Sequence, residues 1–197
     1  ATCVTGLVTV TTATTWTVFG QAVILILVQI GGLGVITVMS ALMILINHRM
    51  GLGQRLLVQD AFNLNTLSGL GRFVKKVMLG TFIIEGIGAL LYMTVFVPEF
   101  GPRGIWISIF NSVSAFCNAG MDIIGENSLM NYATNPIVNA TSSALIVLGG
   151  IGYIVWWDVI RVYGSKESRP SFKRLTLHSK IALSSSLLLI LVGGALI

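Results

Sequence analysis

Two short segments of this chain share one motif, and that repeat constrains the fold more than any other feature. Residues 1–7 read ATCVTGL and residues 114–121 read SAFCNAGM, so both contain the pattern AxCxxG followed by an apolar residue. An apolar stretch follows each copy and carries a second shared motif, QIGGLGVI after the first copy and VLGGIGYI after the second. Self-similarity of this kind indicates a duplicated structural unit built around a shared site.

The spacing of the landmarks is nearly the same in the two copies. Gly120 follows Gly6 by 114 residues, and Gly149 follows Gly31 by 118 residues. The second copy has therefore gained a few residues between its two motifs. We interpret this as a loop insertion within one repeated fold.

Composition places the chain in a membrane. Hydrophobic residues make up 54% of its 197 residues, charged residues make up 10%, and the mean hydropathy is +0.89. Soluble globular proteins carry about 25% charged residues. Four stretches reach the roughly 20 apolar residues that a spanning helix needs, at 17–46, 74–97, 136–162 and 181–197. A fifth stretch, residues 104–116, is too short to span and suits a re-entrant helix.

The basic residues predict the orientation. Of the twelve Lys and Arg, five lie within residues 49–76 and six within residues 161–180, which leaves only Arg103 elsewhere. The positive-inside rule makes those two segments cytoplasmic, so the AxCxxG segments, Asp122 and Glu126 face outward. Because the basic residues flank predicted spans, the net charge of +5 does not indicate a nucleic-acid partner. We expect a multi-pass protein of the cell membrane, surrounded by the lipid bilayer.

The second copy predicts the complete unit, which is a span, a turn at Pro98, Gly101 and Pro102, a short helix, an AxCxxG loop and a second span. The prediction is an all-α integral membrane protein with such units around a central ion pore. The sequence LLILVGGALI near the end resembles FIIEGIGALL at residues 82–91, so we expect a fragment of a longer protein in which a third unit begins there. The predicted segments are 1–46 (loop and second span), 47–73 (cytoplasmic amphipathic linker), 74–162 (complete unit), 163–180 (cytoplasmic linker) and 181–197 (first span of the next unit).

An ion path explains irregular backbone at membrane depth. Peptide groups outside a helix survive there only when they are buried in protein or line a water-filled cavity. Carbonyl oxygens of such loops can replace the water shell of a cation, and Gly6 and Gly120 permit the backbone angles that aim them. The C-terminal end of the short helix favours a cation, and Asp122 makes the predicted pore mouth acidic.

In this order and spacing the motifs resemble the Trk/Ktr/HKT superfamily of potassium transporters, most closely the KtrB-type membrane subunit. The resemblance rests on the two AxCxxG segments, the GGxG of each second span, and RLLVQDAFNLNTLSGLGR at residues 55–72. It implies four units in a subunit, one filter glycine in each, and potassium bound mainly by backbone carbonyls. The filter residues it implies are Cys3, Val4, Thr5 and Gly6 in the first unit, and Cys117, Asn118, Ala119 and Gly120 in the second.

The resemblance carries further expectations. Related transporters that admit sodium can have serine at a filter-glycine position, so glycine at both positions favours potassium. The implied assembly is a homodimer that works with a cytosolic nucleotide-binding ring. Potassium is the transported ion, and we expect no covalent cofactor and no enzymatic activity.

Alternative interpretations remain for several residues. Glu85 lies in the middle of a span, where it forms either a structural hydrogen bond or the coupling site of a secondary transporter. Cys3 and Cys117 would serve a redox or metal enzyme, although two thiols fall short of the usual four-ligand zinc set. Thr5 and Asn118 either line the path or brace the loop.

Other segments have both structural and functional interpretations. The GGxG glycines lie inside apolar helices and so indicate close helix packing, not a dinucleotide fingerprint. The amphipathic segment 53–67 and the basic segment 161–174 are candidate docking surfaces for a regulator or simple connecting faces. His48 and His178 are expected to anchor span ends at the membrane interface.

Overall fold

The computed structural model describes residues 1–6, 8, 10–34, 37–38, 70–164 and 172–196. All regular structure in these residues is helical, which confirms the predicted all-α membrane fold. The described residues form seven α-helices and two short 3-10 helices, at Met130–Tyr132 and Phe172–Arg174. The α-helices are α1 (Thr12–Thr15), α2 (Val18–Leu33), α3 (Leu70–Phe100), α4 (Arg103–Phe116), α5 (Pro136–Ile151), α6 (Tyr153–Gly164) and α7 (Leu177–Leu196).

The chain divides into two compact units, Ala1–Gly150 and Ile151–Ile197. The first unit contains both AxCxxG segments and packs α4 against α2 and α3. In the second unit, Asp158 of α6 accepts hydrogen bonds from the Thr176 N–H (2.8 Å) and hydroxyl (2.9 Å) and pairs with Arg161. That carboxylate therefore ties α6 to the start of α7.

Helices α3 and α4 form a tight hairpin. Helix α3 has 31 residues, about 46 Å at 1.5 Å per residue, and so exceeds the roughly 30 Å of a hydrocarbon core. Gly101 ends it with a φ of 59°, and its N–H donates to the Val97 carbonyl at 2.9 Å. A Cβ atom at Gly104 would lie 2.6 Å from the Phe96 carbonyl carbon. Glycine therefore allows the two backbones to touch at this corner.

The prediction that Pro98 belongs to this turn was wrong, because Pro98 lies inside α3 and the chain reverses only at Gly101 and Pro102. Proline has no backbone N–H, so Pro98 removes one helical hydrogen bond two residues before α3 ends. The short helix predicted at residues 104–116 is present as Arg103–Phe116. Nine of its 14 residues are buried, so α4 is held inside the protein.

The third glycine of each GGxG motif interrupts a predicted span. Gly34 has a φ of 80° and caps α2, and Gly152 has a φ of 93° and separates α5 from α6. The stretch predicted as a span at residues 136–162 therefore consists of two helices, α5 and α6. Glycine enters the left-handed region without the cost that a Cβ adds, so these two positions can end a helix within apolar sequence. The remainder of the span predicted at 17–46 lies outside the described residues from position 39 onward.

Length and composition identify the spans. Among the described helices, Val74–Phe100 of α3 and α7 are long and apolar enough to cross a membrane, and a third span results if α5 and α6 count as one. Side chains such as Phe82, Ile83 and Ile87 are more than half exposed, as is most of the apolar surface of α7. Exposed apolar surface on helices long enough to span indicates contact with lipid or with further helices. The chain is thus a membrane protein.

Polar side chains join these helices within the first unit. The Gln29 amide of α2 donates to both carboxylate oxygens of Glu85 in α3, at 2.9 and 3.2 Å. Glu85 is only 4% exposed, and its backbone carbonyl accepts from the Ser112 hydroxyl of α4 at 2.6 Å. The Trp106 indole of α4 donates to the Gln21 side chain of α2 at 2.9 Å. Hydrogen bonds therefore hold α2, α3 and α4 in register where hydrophobic packing alone is not directional.

Replacing Gln29 by leucine removes both side-chain donors from a buried carboxylate. We expect Gln29→Leu to lower the free energy of unfolding by about 1–3 kcal/mol. Thermal unfolding of the purified full-length protein in detergent measures the change. Glu85→Gln, which keeps an acceptor oxygen opposite Gln29, is the matched variant and is expected to unfold close to wild type. Equal unfolding temperatures for Gln29→Leu and wild type would contradict this role.

Candidate ion-coordination site

The two AxCxxG segments have the same backbone conformation. We call them loop 1 (residues 1–6) and loop 2 (residues 115–120). Val4 and Gly6 of loop 1 have φ values of 50° and 69°, and the matching Asn118 and Gly120 of loop 2 have 56° and 66°. The residues between them, Thr5 and Ala119, do not have positive φ. Left-handed residues therefore alternate with others in both loops, and such alternation can turn successive peptide groups toward one side.

A matching hydrogen bond occurs in each loop. The Val4 N–H donates to the Ala1 carbonyl at 3.0 Å, and the Asn118 N–H donates to the Ala115 carbonyl at 3.1 Å. These are the same two positions of the motif. Each loop therefore contains a turn of the same kind, although Val4 and Asn118 have unrelated side chains.

The N–H groups of loop 2 and its continuation point back into the protein. Cys117 donates to the Val113 carbonyl at 2.9 Å and Ala119 to the Ser114 carbonyl at 2.8 Å. The Met121 N–H donates to the Ser114 hydroxyl at 2.9 Å. Ser114 thus braces loop 2 twice, a role that sequence reasoning missed. A serine one residue before the motif is the only signal that could have indicated it.

The carbonyl groups at the end of each loop take no part in these hydrogen bonds. Within the part of the chain that the structure describes, no donor bonds the carbonyl oxygens of residues 3–6 or 117–120. Every carbonyl group at membrane depth needs a partner, because an unpaired one costs several kcal/mol in hydrocarbon. Water or a cation can supply that partner. Two rows of unbonded carbonyl oxygens are therefore available for ion coordination.

The structure brings Gly6 and Gly120 together. A Cβ atom at Gly6 would lie 2.6 Å from the carbonyl oxygen of Ala119 and 3.8 Å from the Gly120 Cα. Any side chain at Gly6 would therefore displace loop 2. The candidate residues of the two loops, far apart in sequence, form one site.

The first glycine of each GGxG motif packs on a loop backbone. A Cβ atom at Gly31 of α2 would lie 2.9 Å from the Thr2 carbonyl carbon, and one at Gly149 of α5 would lie 2.9 Å from the Phe116 carbonyl carbon. Thr2 and Phe116 occupy the same position of the AxCxxG motif. Helices α2 and α5 therefore each support the loop of their own copy by the same contact, which explains why glycine recurs there. This close packing agrees with the predicted interpretation of the GGxG glycines.

The second glycine of the first motif packs on the other loop. A Cβ atom at Gly32 would lie 2.6 Å from the Cys117 Cβ and 3.2 Å from its Cα. Helix α2 consequently holds both loops, loop 1 through Gly31 and loop 2 through Gly32. Cys117 is a buried, free thiol that fills this contact, while Cys3 is free and exposed.

The remaining polar residues of the site act locally. Asp122 is half-buried, and its carboxylate accepts from the Ile124 N–H at 3.1 Å and from the Ser128 hydroxyl. It therefore stabilises the turn after loop 2. The Asn118 amide lies 3.5 Å from the Phe116 carbonyl, which favours bracing over lining the path. The described residues contain no group of three His, Cys, Asp or Glu that could hold a metal ion, so neither cysteine has such neighbours there.

A cavity with several polar side chains in its wall lies beside loop 2. Its volume is about 210 Å³, and it is lined by Tyr92, Asn111, Ser142, Asn118 and Asp122 among others. The Asn111 amide nitrogen is buried without a hydrogen-bond partner among the described residues. A cavity of this size with several polar groups can hold water, which would satisfy that amide.

The loop that follows is held to the end of α3. The Tyr132 hydroxyl donates to the Glu99 carboxylate, and the Tyr132 ring stacks edge-on against Phe96 with centroids 5.1 Å apart. Desolvation of the hydroxyl, together with the hydrogen bond and the charge of Glu99, raises the pKa of Tyr132. Tyr132 therefore stays protonated and remains a donor across the physiological pH range.

Some predicted features fall on other parts of the chain. The amphipathic segment 53–67 and His48 lie outside the described residues, as do residues 165–171 of the basic segment. His178 is exposed in the first turn of α7. Glu85 is not part of the loops; it bonds Gln29, as the structural interpretation expects.

Comparisons with known proteins all find similarity to cation transport or uptake proteins. The TrkH family model, described as a cation transport protein, matches residues 1–196. Potassium/sodium uptake protein NtpJ of Enterococcus hirae is 41% identical over 195 residues, which cover 98% of this chain and 41% of that protein. Ktr system potassium uptake protein B of Bacillus subtilis is 40% identical over 190 residues, covering 96% and 41%. The protein of that name from Vibrio alginolyticus is 36% identical over 194 residues, covering 98% and 41%. The chain therefore spans about two fifths of the length of these relatives.

Adding a methyl group at Gly149 would force loop 2 to move. Overpacking of this kind costs about 1–3 kcal/mol, and here the displaced group is backbone at the site. We expect Gly149→Ala to lower both the unfolding temperature and the cation uptake of the full-length protein. Gly86→Ala is the control, because a Cβ atom at Gly86 of α3 meets nothing within 4 Å. Normal behaviour of both variants would mean that α5 does not support loop 2.

Proposed function

The chain belongs to the TrkH family of cation transport proteins, and from this premise we propose that it forms part of a potassium uptake subunit of the Ktr type. In the proposed subunit, loops 1 and 2 are two of four filter loops around one pore. The observation that carries the proposal is a pair of adjacent loops in which the carbonyl oxygens of residues 3–6 and 117–120 have no donor among the described residues. The names of three relatives, each at least 36% identical, support potassium as the ion.

The proposed mechanism is exchange of water for backbone oxygen. A potassium ion that enters the pore loses part of its hydration shell, and carbonyl oxygens of residues 3–6 and 117–120 take the place of the water. The C-terminal end of α4 carries partial negative charge and lies directly before loop 2, which stabilises a cation there. Because the N–H groups of Cys117, Asn118 and Ala119 are bonded to α4, the carbonyl groups of loop 2 are proposed to stay oriented without reorganisation during passage. The ion moves down its electrochemical gradient.

Selectivity for potassium over sodium is assigned to the glycines. Gly6 and Gly120 have no side chain that could add an oxygen or narrow the path, and both have positive φ. Asp122 and Glu126 are proposed to make the outer mouth acidic and to raise the local cation concentration. Since Asp122 is bonded to Ile124 and Ser128, its contribution is a fixed charge and not a direct ligand.

The proposed topology places both loops toward the outside of a plasma membrane that the protein crosses several times. The support is the distribution of basic residues, eleven of which lie in two segments that the positive-inside rule makes cytoplasmic. The proposed assembly is a homodimer that binds a cytosolic nucleotide-binding ring. Segments 53–67 and 161–174 are the proposed contact surfaces for that ring.

A secondary transporter that couples through Glu85 is the second candidate. It is favoured by the placement of a buried carboxylate in a helix that can span the membrane, and by the word sodium in the name of the Enterococcus hirae relative. Glu85 is, however, bonded to Gln29 and lies outside the two loops. The carbonyl site accounts for more of the structure.

The first test concerns the filter glycine of loop 2. A Cβ atom at Gly120 meets only the Gly6 Cα, at 4.0 Å, so serine fits sterically while its hydroxyl and its strained φ alter the carbonyl row. We expect Gly120→Ser to weaken discrimination against sodium by about tenfold, which corresponds to about 1.4 kcal/mol. The measurement is potassium and sodium uptake in cells that lack their own potassium transporters. Gly125→Ser is the control, because Gly125 has open space around it. Unaltered selectivity in Gly120→Ser would count against the assigned filter.

The second test separates the two candidate functions. Glutamine at position 85 keeps a hydrogen-bonding partner for Gln29 but cannot carry a charge or a proton between states. We expect Glu85→Gln to retain potassium uptake within about twofold of wild type, since a purely structural hydrogen bond contributes only about 1 kcal/mol. Uptake is measured across a range of external sodium concentrations. Loss of uptake in a variant that folds normally would favour coupling through Glu85.

A further inference from the structure

The cavity beside loop 2 contacts a part of that loop that loop 1 does not cover. It is lined by residues of α3, α4, α5 and the segment 118–129, and no described residue of loop 1 or α2 lies in its wall. Loop 1 instead meets loop 2 at the Ala119 carbonyl oxygen, which would lie 2.6 Å from a Cβ atom at Gly6. Asn118 and Gly120, on either side of Ala119, are wall residues. The cavity therefore borders loop 2 from within the second copy.

The backbone N–H of Gly120 differs from its neighbours in loop 2. The N–H groups before and after it donate to α4, namely those of Cys117, Asn118, Ala119 and Met121. The Gly120 N–H has no acceptor in the part of the chain that the structure describes. A trans peptide group points its carbonyl and its N–H in opposite directions. Because the Ala119 carbonyl faces loop 1, the Gly120 N–H of the same peptide group faces away from loop 1, on the side where Gly120 lines the cavity.

A second donor without a partner lies in the same wall. Asn111 of α4 is only 4% exposed and lines the cavity, and its amide nitrogen has no hydrogen-bond partner among the described residues. A buried amide donor without an acceptor destabilises a protein, so this nitrogen requires an acceptor. The cavity thus needs an occupant that accepts hydrogen bonds from both α4 and loop 2.

Water is the occupant that fits this wall. Both open groups are donors, so a cation cannot be their direct partner. The wall that the described residues form contains the Asp122 carboxylate and no basic side chain, so an anion would be repelled. A water molecule can accept two hydrogen bonds and donate two, and the oxygens of Tyr92, Ser142 and Asp122 are acceptors in the same wall. One water takes up about 30 Å³ of the liquid, so a cavity of about 210 Å³ holds several.

We propose that this cavity holds bound water that accepts hydrogen bonds from the Gly120 N–H and the Asn111 amide, and that Asn111 thereby acts as a positioning residue for the Ala119 carbonyl group. Rotation of the peptide plane between Ala119 and Gly120 would turn that carbonyl away from its place beside Gly6. The water opposes such rotation from the other end of the same peptide group. It therefore completes the restraint of loop 2 at the one N–H group of residues 117–121 that α4 does not bind. This inference rests on the proposed function, because it gives Asn111 a part in the selectivity of the site.

Hydroxyl-radical labelling tests for the water directly. X-ray radiolysis produces radicals from bound water, so side chains beside that water are oxidised even when they are buried. In the wild-type full-length protein we expect Tyr92, which is 1% exposed and lines the cavity, to be labelled several times faster than Phe96, after correction for the intrinsic reactivity of the two rings. Phe96 is the matched control, because it is buried in the same helix, stacks on Tyr92 and does not line the cavity. Equally slow labelling of both rings would mean that the cavity is dry or filled by a side chain, and would overturn the inference.

Two substitutions at Asn111 test its role as a positioning residue. Serine and alanine open nearly the same space, but only serine keeps a donor for the water. We expect Asn111→Ala to weaken discrimination of potassium against sodium by about fivefold, the effect of one ordinary hydrogen bond. Asn111→Ser is expected to stay within about twofold of wild type, because its hydroxyl still binds the water. Uptake of the two ions by cells that lack their own potassium transporters is the measurement. Equal discrimination in the two variants, whether normal or weakened, would overturn the inference, because the donor would then have no effect.

The two readouts keep this inference separate from the proposed function. Labelling of Tyr92 reports bound water whatever ion the protein carries, and it requires no variant that could misfold. A wild-type protein that fails to take up potassium would overturn the proposed function and leave the labelling result unchanged. Slow labelling of Tyr92 in a protein that takes up potassium would overturn this inference alone.

Discussion

The structure depends on one constraint, which is that irregular backbone inside a membrane must still satisfy its peptide groups. Helix α4 meets this constraint for loop 2 by accepting the N–H groups of Cys117, Asn118 and Ala119 on its last carbonyls. The helix end thereby loses its own unsatisfied acceptors, and these three N–H groups of the loop gain acceptors. The carbonyl groups of residues 117–120 are left without a donor among the described residues. Unbonded carbonyl groups of that kind are stable beside water or a cation, so the hydrogen bonds of loop 2 support the proposed ion path.

Close packing of glycines keeps those carbonyl groups in place. The first glycine of each GGxG touches the loop of its own copy, and Gly32 also touches loop 2. Contacts of this kind act through repulsion, since any outward movement of a loop meets helix backbone. Hydrogen bonds to the carbonyl groups of α4 and close contacts with α2 and α5 therefore both restrain loop 2. The loops can be short and lack regular structure because their surroundings fix them.

Sequence reasoning predicted the parts of this arrangement that depend on periodicity and length. The repeated motifs predicted two matching loops, and the short apolar stretch before loop 2 predicted α4 to within one residue. Hydropathy could not predict the helix breaks at Gly34 and Gly152, because the residues on both sides of each break are apolar. It could not indicate the Gln29–Glu85 pair or the Ser114 brace either, since both depend on which helix faces meet. Both features depend on contacts between helices. In the sequence their residues are only isolated polar positions.

The difference between Val4 and Asn118 indicates that the two loops share their backbone conformation and not their side chains. Both residues have positive φ and both donate the same backbone hydrogen bond, although one side chain is branched and apolar and the other is an amide. A left-handed valine is strained by about 1–3 kcal/mol, so its surroundings must impose that conformation. If side chains bound the ion, the two positions would need similar chemistry. The strain is accepted at a position where the backbone conformation, and not the side chain, is shared between the two loops.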